Sequence, residues 1–296
     1  MLAVYQYHYA LALVKLALSC YSKRVKMDFE KFKVNGQKAV KLSDFKTKFD
    51  AGLDNNDLKR MRSNLWSEIA ELQQKLYAES KQSLLIVLQA MDAAGKDSTI
   101  AKLTSQLNAQ GCHVHSFKKP SKLELSHDFL WRVHAAAPAA GEITIFNRSH
   151  YEDVLVVKVH GWASENRINA RYQHINNFEN LLADRGTSVI KFMLNISPEY
   201  QLERFKRRLD MPGKHWKFNP GDLDERKLWG DYMQAFEIAM TKCASERAPW
   251  YVVPAEDRRF RDVMIAMLVR DQLIAMQPEF PAPEFDSTVY TSSSIG

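Results

Sequence analysis

Apolar residues recur along this chain in two alternating rhythms. Between 57 and 80, in the run DLKRMRSNLWSEIAELQQKLYAES, Met61, Leu65, Ile69, Leu72 and Leu76 return every three or four positions. That period lays them on one stripe of a long amphipathic helix. The run SLLIVLQ at 83–89 then shows almost no polar alternation, as expected of a parallel strand buried on both faces. Further strand-like runs stand at 112–117 (CHVHSF), 143–147 (ITIFN), 189–195 (VIKFMLN) and 250–254 (WYVVP). Helical stretches fill the intervals, at roughly 97–110, 124–135, 165–184, 198–209, 222–247 and 257–277. This alternation predicts an α/β fold of three layers, a parallel five-stranded sheet with helices on both faces.

No internal repeat or low-complexity linker interrupts the pattern, so one domain is expected over 28–280, with the mixed, polar residues 28–56 packed on it as a lead-in. The tail at 281–296, preceded by Pro278 and containing Pro281 and Pro283, reads as loose. At the other end, 1–19 is the only candidate membrane or signal segment, but Gln6, His8 and Lys15 break it. Met27, opening the more soluble run MDFEKFKV, reads as the true start and 1–27 as an extension without function. No membrane association is expected.

Composition narrows the class. Hydrophobic residues make up 46% and charged residues 26% of the 296, the balance of a globular protein with a full core. Cys20, Cys112 and Cys243 are far apart and form no CxxC pair, which argues against a disulfide framework and points to the cytoplasm. The chain carries 41 Lys and Arg against 35 Asp and Glu, a net charge of +6, compatible with a polyanionic partner.

The surplus is concentrated. Arg204, Lys206, Arg207, Arg208, Lys214 and Lys217 face a single acid, Asp210, between 204 and 217. Arg204 and Arg208 share a helix face, and Met211-Pro212-Gly213 breaks that helix to make a hinged basic flap. Such a flap could close arginines over a transferring phosphoryl group, or be only a solvated basic surface. With Lys118, Lys119, Arg132 and Arg148 it would line a groove for a condensed-phosphate chain. RNA or DNA binding is disfavoured, because the basic residues sit at strand ends without interleaved surface aromatics; Trp131 and Trp216 read as core or lid packing.

The first buried strand leads into Ala90-Met91-Asp92-Ala93-Ala94-Gly95-Lys96-Asp97-Ser98-Thr99. Gly95-Lys96 after a strand and before a helix matches the phosphate-loop pattern G-x-x-x-x-G-K-[ST], in which backbone N–H groups and a lysine cradle phosphate. Ala90 replaces the first glycine and Asp97 the usual Ser or Thr. Asp92 would repel phosphate unless a cation intervened, so it is a candidate magnesium ligand.

Together these motifs resemble the polyphosphate kinase type 2 family of P-loop phosphotransferases. The segment 91–97 looks like its GxDxxGK loop, and Ile145–Asp153 (IFNRSHYED) is similar to its second motif. Lys214–Phe218 (KHWKF), after Arg204–Arg208, resembles its lid, and Ala248–Pro254 (APWYVVP) its late strand. Ser116–Lys118, His127–Arg132 and Trp229–Met233 agree as well, so the resemblance spans about 30–277. It implies a P-loop kinase-like fold with a helical lid at about 204–225, and transfer of phosphoryl groups between polyphosphate and a nucleotide with Mg2+.

On this resemblance and the charge pattern, Asp92 would organise magnesium and Lys96 would hold the transferring phosphate. Arg148, Arg204 and Arg208 would neutralise charge in the transition state. Ala93, Ala94, Gly95, Asp97, Ser98, Lys118, Arg132, Asn147, Lys214 and Lys217 would bind substrate, with Glu152 toward the acceptor nucleotide. The family's second motif often carries Asp where Asn147 stands, which puts in doubt a carboxylate–metal contact there. The Asn form, together with Glu152, resembles the branch that accepts AMP as well as ADP; GMP and GDP stay open, and a homo-oligomer is implied.

Two rivals remain at this level. One is an NTP-dependent nucleoside monophosphate kinase of the thymidylate-kinase-like type; the other is a polyphosphate-binding protein with a degenerate site, suggested by Ala90 and Asn147. His113, His115, His127, His134 and His150 read as core or surface histidines. Transfer through a phosphohistidine stays open, but direct in-line transfer needs no such nucleophile.

Overall fold

The computed structural model describes residues 27–34, 36, 38–286, 289–291 and 293–294. The chain divides into Met1–Lys31 and Phe32–Gly296. Of the first unit only Met27–Lys31 is described, where the Glu30 N–H donates to Asp28 Oδ1; the expected extension up to residue 26 lies outside the described residues. No described helix is long and apolar enough to cross a membrane.

In the second unit the elements run β1 (Lys33–Val34), α1 (Asn55–Glu79), β2 (Ser83–Gln89), α2 (Lys96–Leu103), β3 (Cys112–Ser116), α3 (Lys122–Leu125), α4 (Trp131–His134), β4 (Ile143–Asn147), α5 (Val156–Val159), α6 (Glu165–Asp184), β5 (Thr187–Asn195), α7 (Pro198–Asp210), α8 (Gly221–Lys227), α9 (Trp229–Cys243), β6 (Trp250–Pro254) and α10 (Arg258–Met276). The described strands form one sheet in the order β1-β6-β5-β2-β4-β3. The five expected strands are all present and pair in parallel.

The expectation of a parallel five-stranded sheet nonetheless needs correction: a sixth strand, β1, pairs antiparallel with β6, making the sheet mixed. Two residues are too few for any periodicity, and only the pairing of Lys33 and Val34 with Tyr251 and Trp250 at the sheet edge creates the strand. Three predicted helices also come out shorter. The 97–110 stretch is helical only to Leu103 and continues as single turns; 124–135 holds two separate turns, α3 and α4; and 222–247 splits at Leu228 into α8 and α9. Beyond α10, the described residues carry no helix or strand.

The β2 run is buried from Ser83 to Gln89, as its unbroken apolar pattern requires. One set of its residues, Leu85 and Val87, joins Val189, Met193, Trp250 and Val252 in a core closed by Tyr172, Ile175 and Phe178 of α6 and Phe236 and Met240 of α9. Alternation along a strand sends Leu84, Ile86 and Leu88 to the opposite face. On that side α10 packs on α1, α2, β5 and β6. The parallel order around β2 places its carboxyl end between β4 and β5, where chain connections leave in opposite directions. Open α/β sheets bind ligands at such a point.

Lys191 of β5 is the exception in this interior. Its side chain is fully buried, and Nζ donates to Glu179 Oε2 (2.5 Å), Tyr151 Oη (2.9 Å) and the Cys243 carbonyl (2.7 Å). Glu179 Oε1 also accepts from the Tyr151 hydroxyl at 2.8 Å and meets His150 Nε2 at 3.2 Å. Burial opposes ionisation of Glu179, but Lys191 and His150 outweigh it and hold its carboxyl below the ordinary value.

Candidate functional site

The chain leaves β2 at Ala90 and turns into α2 through two left-handed residues, Ala93 (φ 66°) and Gly95 (φ 107°). Ala90 is not one of them, so the pattern's first glycine is dispensable here. The helices α1, α6, α7 and α10 are capped by the side chains of Asp54, Ser164, Ser197 and Asp257. Gly95, the N-cap of α2, has no side chain to do this. The free N–H groups and positive dipole end of α2 are thereby left for an anion.

Lys96 folds back over the loop it follows. Its buried Nζ donates to the Ala90 carbonyl at 2.9 Å and the Met91 carbonyl at 3.4 Å. Burial, and next the charge of Arg148, lower its pKa against the pull of Asp92, Glu152 and Asp97. Arg148, at the end of β4, is itself left-handed (φ 61°), with its N–H bound to the Leu88 carbonyl at 3.0 Å. Its Nη2 donates to Asp92 Oδ1 at 2.7 Å and its Nη1 to Glu152 Oε2 at 3.3 Å. Burial works against the Arg148 charge, but the two carboxylates more than offset it, so the pKa is raised.

Asn147 donates from Nδ2 to Asp97 Oδ1 (3.0 Å) and Ser116 Oγ (3.4 Å). It therefore links the end of β4 to the start of α2 without adding a third negative charge beside Asp92 and Asp97. An aspartate in its place would face Asp97 as a like charge.

Two cavities of about 260 Å³ each meet at this point. The first is lined by Asp92, Ala93, Gly95, Lys96, Asp97, Ser98, Asn147, Arg148, Arg204, Arg208, Lys214 and Lys217. It is strongly basic on the lid side, and it gathers most of the residues the sequence singled out. Arg204 has its pKa lowered by burial and by its cationic neighbours, Arg258, Arg207 and Arg208. Lys214 is lowered as well, by desolvation and by Arg207, Arg204, Arg258 and Lys217. Mutual repulsion of this kind is relieved by a polyanion.

The second cavity shares Asp92 and Arg148 with the first. Its other walls are Ala90, Met91, Glu152, Leu155, Val156, Asn219, Gly221, Asp222, Glu225, Tyr232 and Phe236. Asp222 binds Arg208 at 3.0 Å, and the Tyr232 hydroxyl donates to Glu225 Oε2 at 2.6 Å. Burial raises the Asp222 pKa, Asp92 adds to the rise, and Arg208 works against it. The paired ions Asp92–Arg148 and Asp222–Arg208 stand where the two cavities adjoin.

Not every expected residue arrives here. Ala94 is buried beneath the loop. Arg132 instead donates to the Lys118 carbonyl at 2.8 Å and lines a separate cavity of about 760 Å³ with Asp153, Arg171 and Phe129. Lys118 is not among the residues lining either loop cavity. Trp216 is 79% exposed in the lid, with Lys217 Nζ 4.7 Å from its ring centre, and Trp131 stacks on His127 at the surface. The expectation of packed tryptophans thus fails for Trp216 and also for Trp131, which is 41% exposed. His113 and His115 lie on the edge strand β3, His113 against Glu142.

The structure also adds residues that sequence reading passed over. Gln201 of α7 donates to the Asp92 carbonyl at 3.0 Å. Asp222 and Glu225 bring acids from α8, and Arg261 reaches the loop from α10, where its Nη1 donates to the Ala94 carbonyl at 3.3 Å. An arginine and its neighbour Asp262 inside the apolar run FRDVMIAMLV were the one available signal for the last of these.

A phosphate loop at the carboxyl end of a central parallel strand, roofed by basic side chains, defines a P-loop phosphotransferase. Residues 52–281 match the family model of Polyphosphate kinase 2. The chain belongs to that family, and it is a polyphosphate:nucleotide kinase. It is 46% identical over 216 residues to an AMP/ADP-polyphosphate phosphotransferase of Meiothermus ruber, covering 73% of this chain and 81% of that one. It is 38% identical over 271 residues to an ADP-polyphosphate phosphotransferase of Rhodopseudomonas palustris, covering 87% and 93%. Among solved structures, a polyphosphate kinase 2 from Arthrobacter aurescens TC1 superposes with a TM-score of 0.78 at 40% identity, over 85% of this chain and 95% of that chain.

Proposed function

We propose that the protein transfers a phosphoryl group between inorganic polyphosphate, held in the basic cavity, and AMP or ADP, whose nucleoside enters the adjoining one. The single observation that carries this reading is that Asp92 and Arg148 belong to both cavities. A phosphoryl group passing from one to the other must cross between them. Similarity to relatives named for AMP/ADP and for ADP transfer supports the choice of acceptor.

Transfer is direct. An acceptor phosphate oxygen attacks the terminal phosphorus of the polymer in line, the bridging P–O bond breaks, and a chain one phosphate shorter leaves. The N–H groups at the start of α2 and the Lys96 ammonium orient the terminal phosphate. Arg148, Arg204 and Arg208 neutralise charge on its equatorial oxygens, a task for which an arginine can contribute about 10³–10⁵ in rate. The apolar wall of Leu155, Val156 and Phe236 shelters the nucleoside, and Glu152 borders it.

Oxygen donors suit magnesium, which is held through one or two carboxylates with water and substrate phosphates completing its shell. Asp92 fits that demand: it lines both cavities, and its ion-pair partner is the Arg148 guanidinium. Bound there, the ion would supply charge neutralisation between phosphate oxygens.

The test is donor and acceptor choice with magnesium present. The enzyme is incubated with AMP, ADP, GMP or GDP and either polyphosphate or ATP, and product nucleotides are followed. Turnover of AMP and ADP with polyphosphate is expected. Turnover only with ATP would establish the NTP-dependent reading, and binding of polymer without turnover the degenerate-site reading.

A further inference from the structure

We propose that Arg261 is a positioning residue of the phosphate loop, holding the left-handed turn at Gly95 from behind so that the start of α2 faces bound phosphate. The inference rests on the reading that phosphate binds at this loop. Arg261 is 1% exposed, and its fork makes four hydrogen bonds. Nε and Nη2 donate to Asp262 Oδ1 at 3.0 and 2.7 Å, Nη1 to the Ala94 carbonyl at 3.3 Å, and Nη2 to Ser98 Oγ at 3.1 Å. Ser98 Oγ passes the contact on, donating to the Gly95 carbonyl at 2.8 Å.

The guanidinium thus secures two consecutive carbonyls, Ala94 directly and Gly95 through Ser98. In a trans peptide the C=O and the following N–H point in opposite directions. Carbonyls drawn toward Arg261 turn the N–H groups of Gly95 and Lys96 away from it, toward the basic cavity that both residues line. These are the donors that cradle phosphate in such a loop.

The same contact explains the glycine. A Cβ on Gly95 would come 2.2 Å from Arg261 Nη1, at a φ of 107° that side chains rarely adopt. Asp262 pins the guanidinium and prevents its retreat. Arg261 touches no substrate on this account and acts only through the loop.

The test compares Arg261→Met and Arg261→Lys with Arg270→Met, an arginine of the same helix paired with Glu68 and Asp271 away from the loop. Measured quantities are amide hydrogen exchange at 94–97, calorimetric affinity for tripolyphosphate, KM for polyphosphate and for AMP, and Tm. Loss of a charge-assisted hydrogen bond predicts about tenfold weaker tripolyphosphate binding in Arg261→Met. Faster exchange at 94–97, a raised polyphosphate KM and an unchanged AMP KM should accompany it, and Arg261→Lys should fall between. Arg270→Met should lower Tm alone. Wild-type loop exchange and tripolyphosphate affinity in a folded Arg261→Met protein would overturn the proposal, as would an equal loss in Arg270→Met. Should Arg261→Met not fold, wild-type values in Arg261→Lys, which keeps the charge but not the fork, decide against it. A wild-type enzyme that ignored polyphosphate would instead refute the proposed function, while the exchange and tripolyphosphate readings would still judge Arg261.

Discussion

The Arg148 guanidinium stands 2.7 Å from the Asp92 carboxylate, and both residues of this pair line both cavities of the site. Arg148 does so from a backbone conformation, φ 61°, that a residue with a side chain occupies at a cost of about 1–3 kcal/mol. The chain tolerates that strain where the Arg148 charge borders both cavities.

Replacing Arg148 with glycine separates strain from function. Relief of about 1 kcal/mol of backbone strain offsets loss of two partly exposed ion pairs, each worth about 1 kcal/mol or less. Arg148→Gly should therefore keep Tm within a few degrees while turnover falls about 100-fold or more. Calorimetry and initial rates check this. Retained turnover would remove Arg148 from the reaction.

The lid arginines should appear in the salt dependence. Arg204 belongs to the cationic cluster that lowers its own and Lys214's pKa. If it contacts one phosphate of the polymer, Arg204→Gln should flatten the log–log slope of polyphosphate KM against salt by about 0.7–0.9. The AMP KM should stay constant. An unchanged slope would place the polymer elsewhere.

Lys191 and Glu179 should behave as a buried pair. Arg148 and Glu152 follow the same β4 end as His150 and Tyr151, so this interior network lies under the site. Lys191→Met leaves the Glu179 carboxylate unpaired and should cost about 3–5 kcal/mol in urea unfolding. Adding Glu179→Leu removes the stranded charge and should recover most of that loss. A double variant no better than the single would show that the charges are not coupled.

His150 should make stability fall in mild acid. Burial lowers its pKa below 6.5, with Lys191 adding to the effect and Glu179 opposing it. The Glu179 carboxylate can only accept, which fixes Nε2 as the protonated nitrogen. His150 Nδ1 finds no hydrogen-bond partner among the described residues. As pH drops below 6.5, the unfolded chain binds a proton that the folded imidazole refuses. Stability then declines by at most about 1.4 kcal/mol per pH unit from this group. Above that pH the penalty is absent. His150→Gln should flatten the decline between pH 7 and 5.5 in a Tm series, and an equally steep variant would rule His150 out as its source.

Much of the site was legible because it is local. An unbroken apolar strand, a glycine-lysine turn and a following helix lie within 83–103, and backbone geometry alone brings Asp92, Gly95 and Lys96 together. The basic flap at 204–217 was equally visible, since its charges are consecutive. The paired acids Asp222 and Glu225 were not, because nothing in α8 itself says which cavity it will border. Arg261 lies 167 positions from the carbonyl it holds. Strand β1 was invisible for a similar reason, being two residues that become a strand only when β6 offers its edge.

By itself the sequence determined the alternation of strands and helices, the phosphate loop and the stock of positive charge, because hydrophobic period and backbone stereochemistry act over neighbouring residues. Only the tertiary structure decided that Arg148 should join Asp92 to Glu152, that Arg132 should leave the loop for another cavity, and that Arg261 should stand behind Gly95. Those outcomes depend on where burial forces distant polar groups to find partners, and that is a property of the packed molecule.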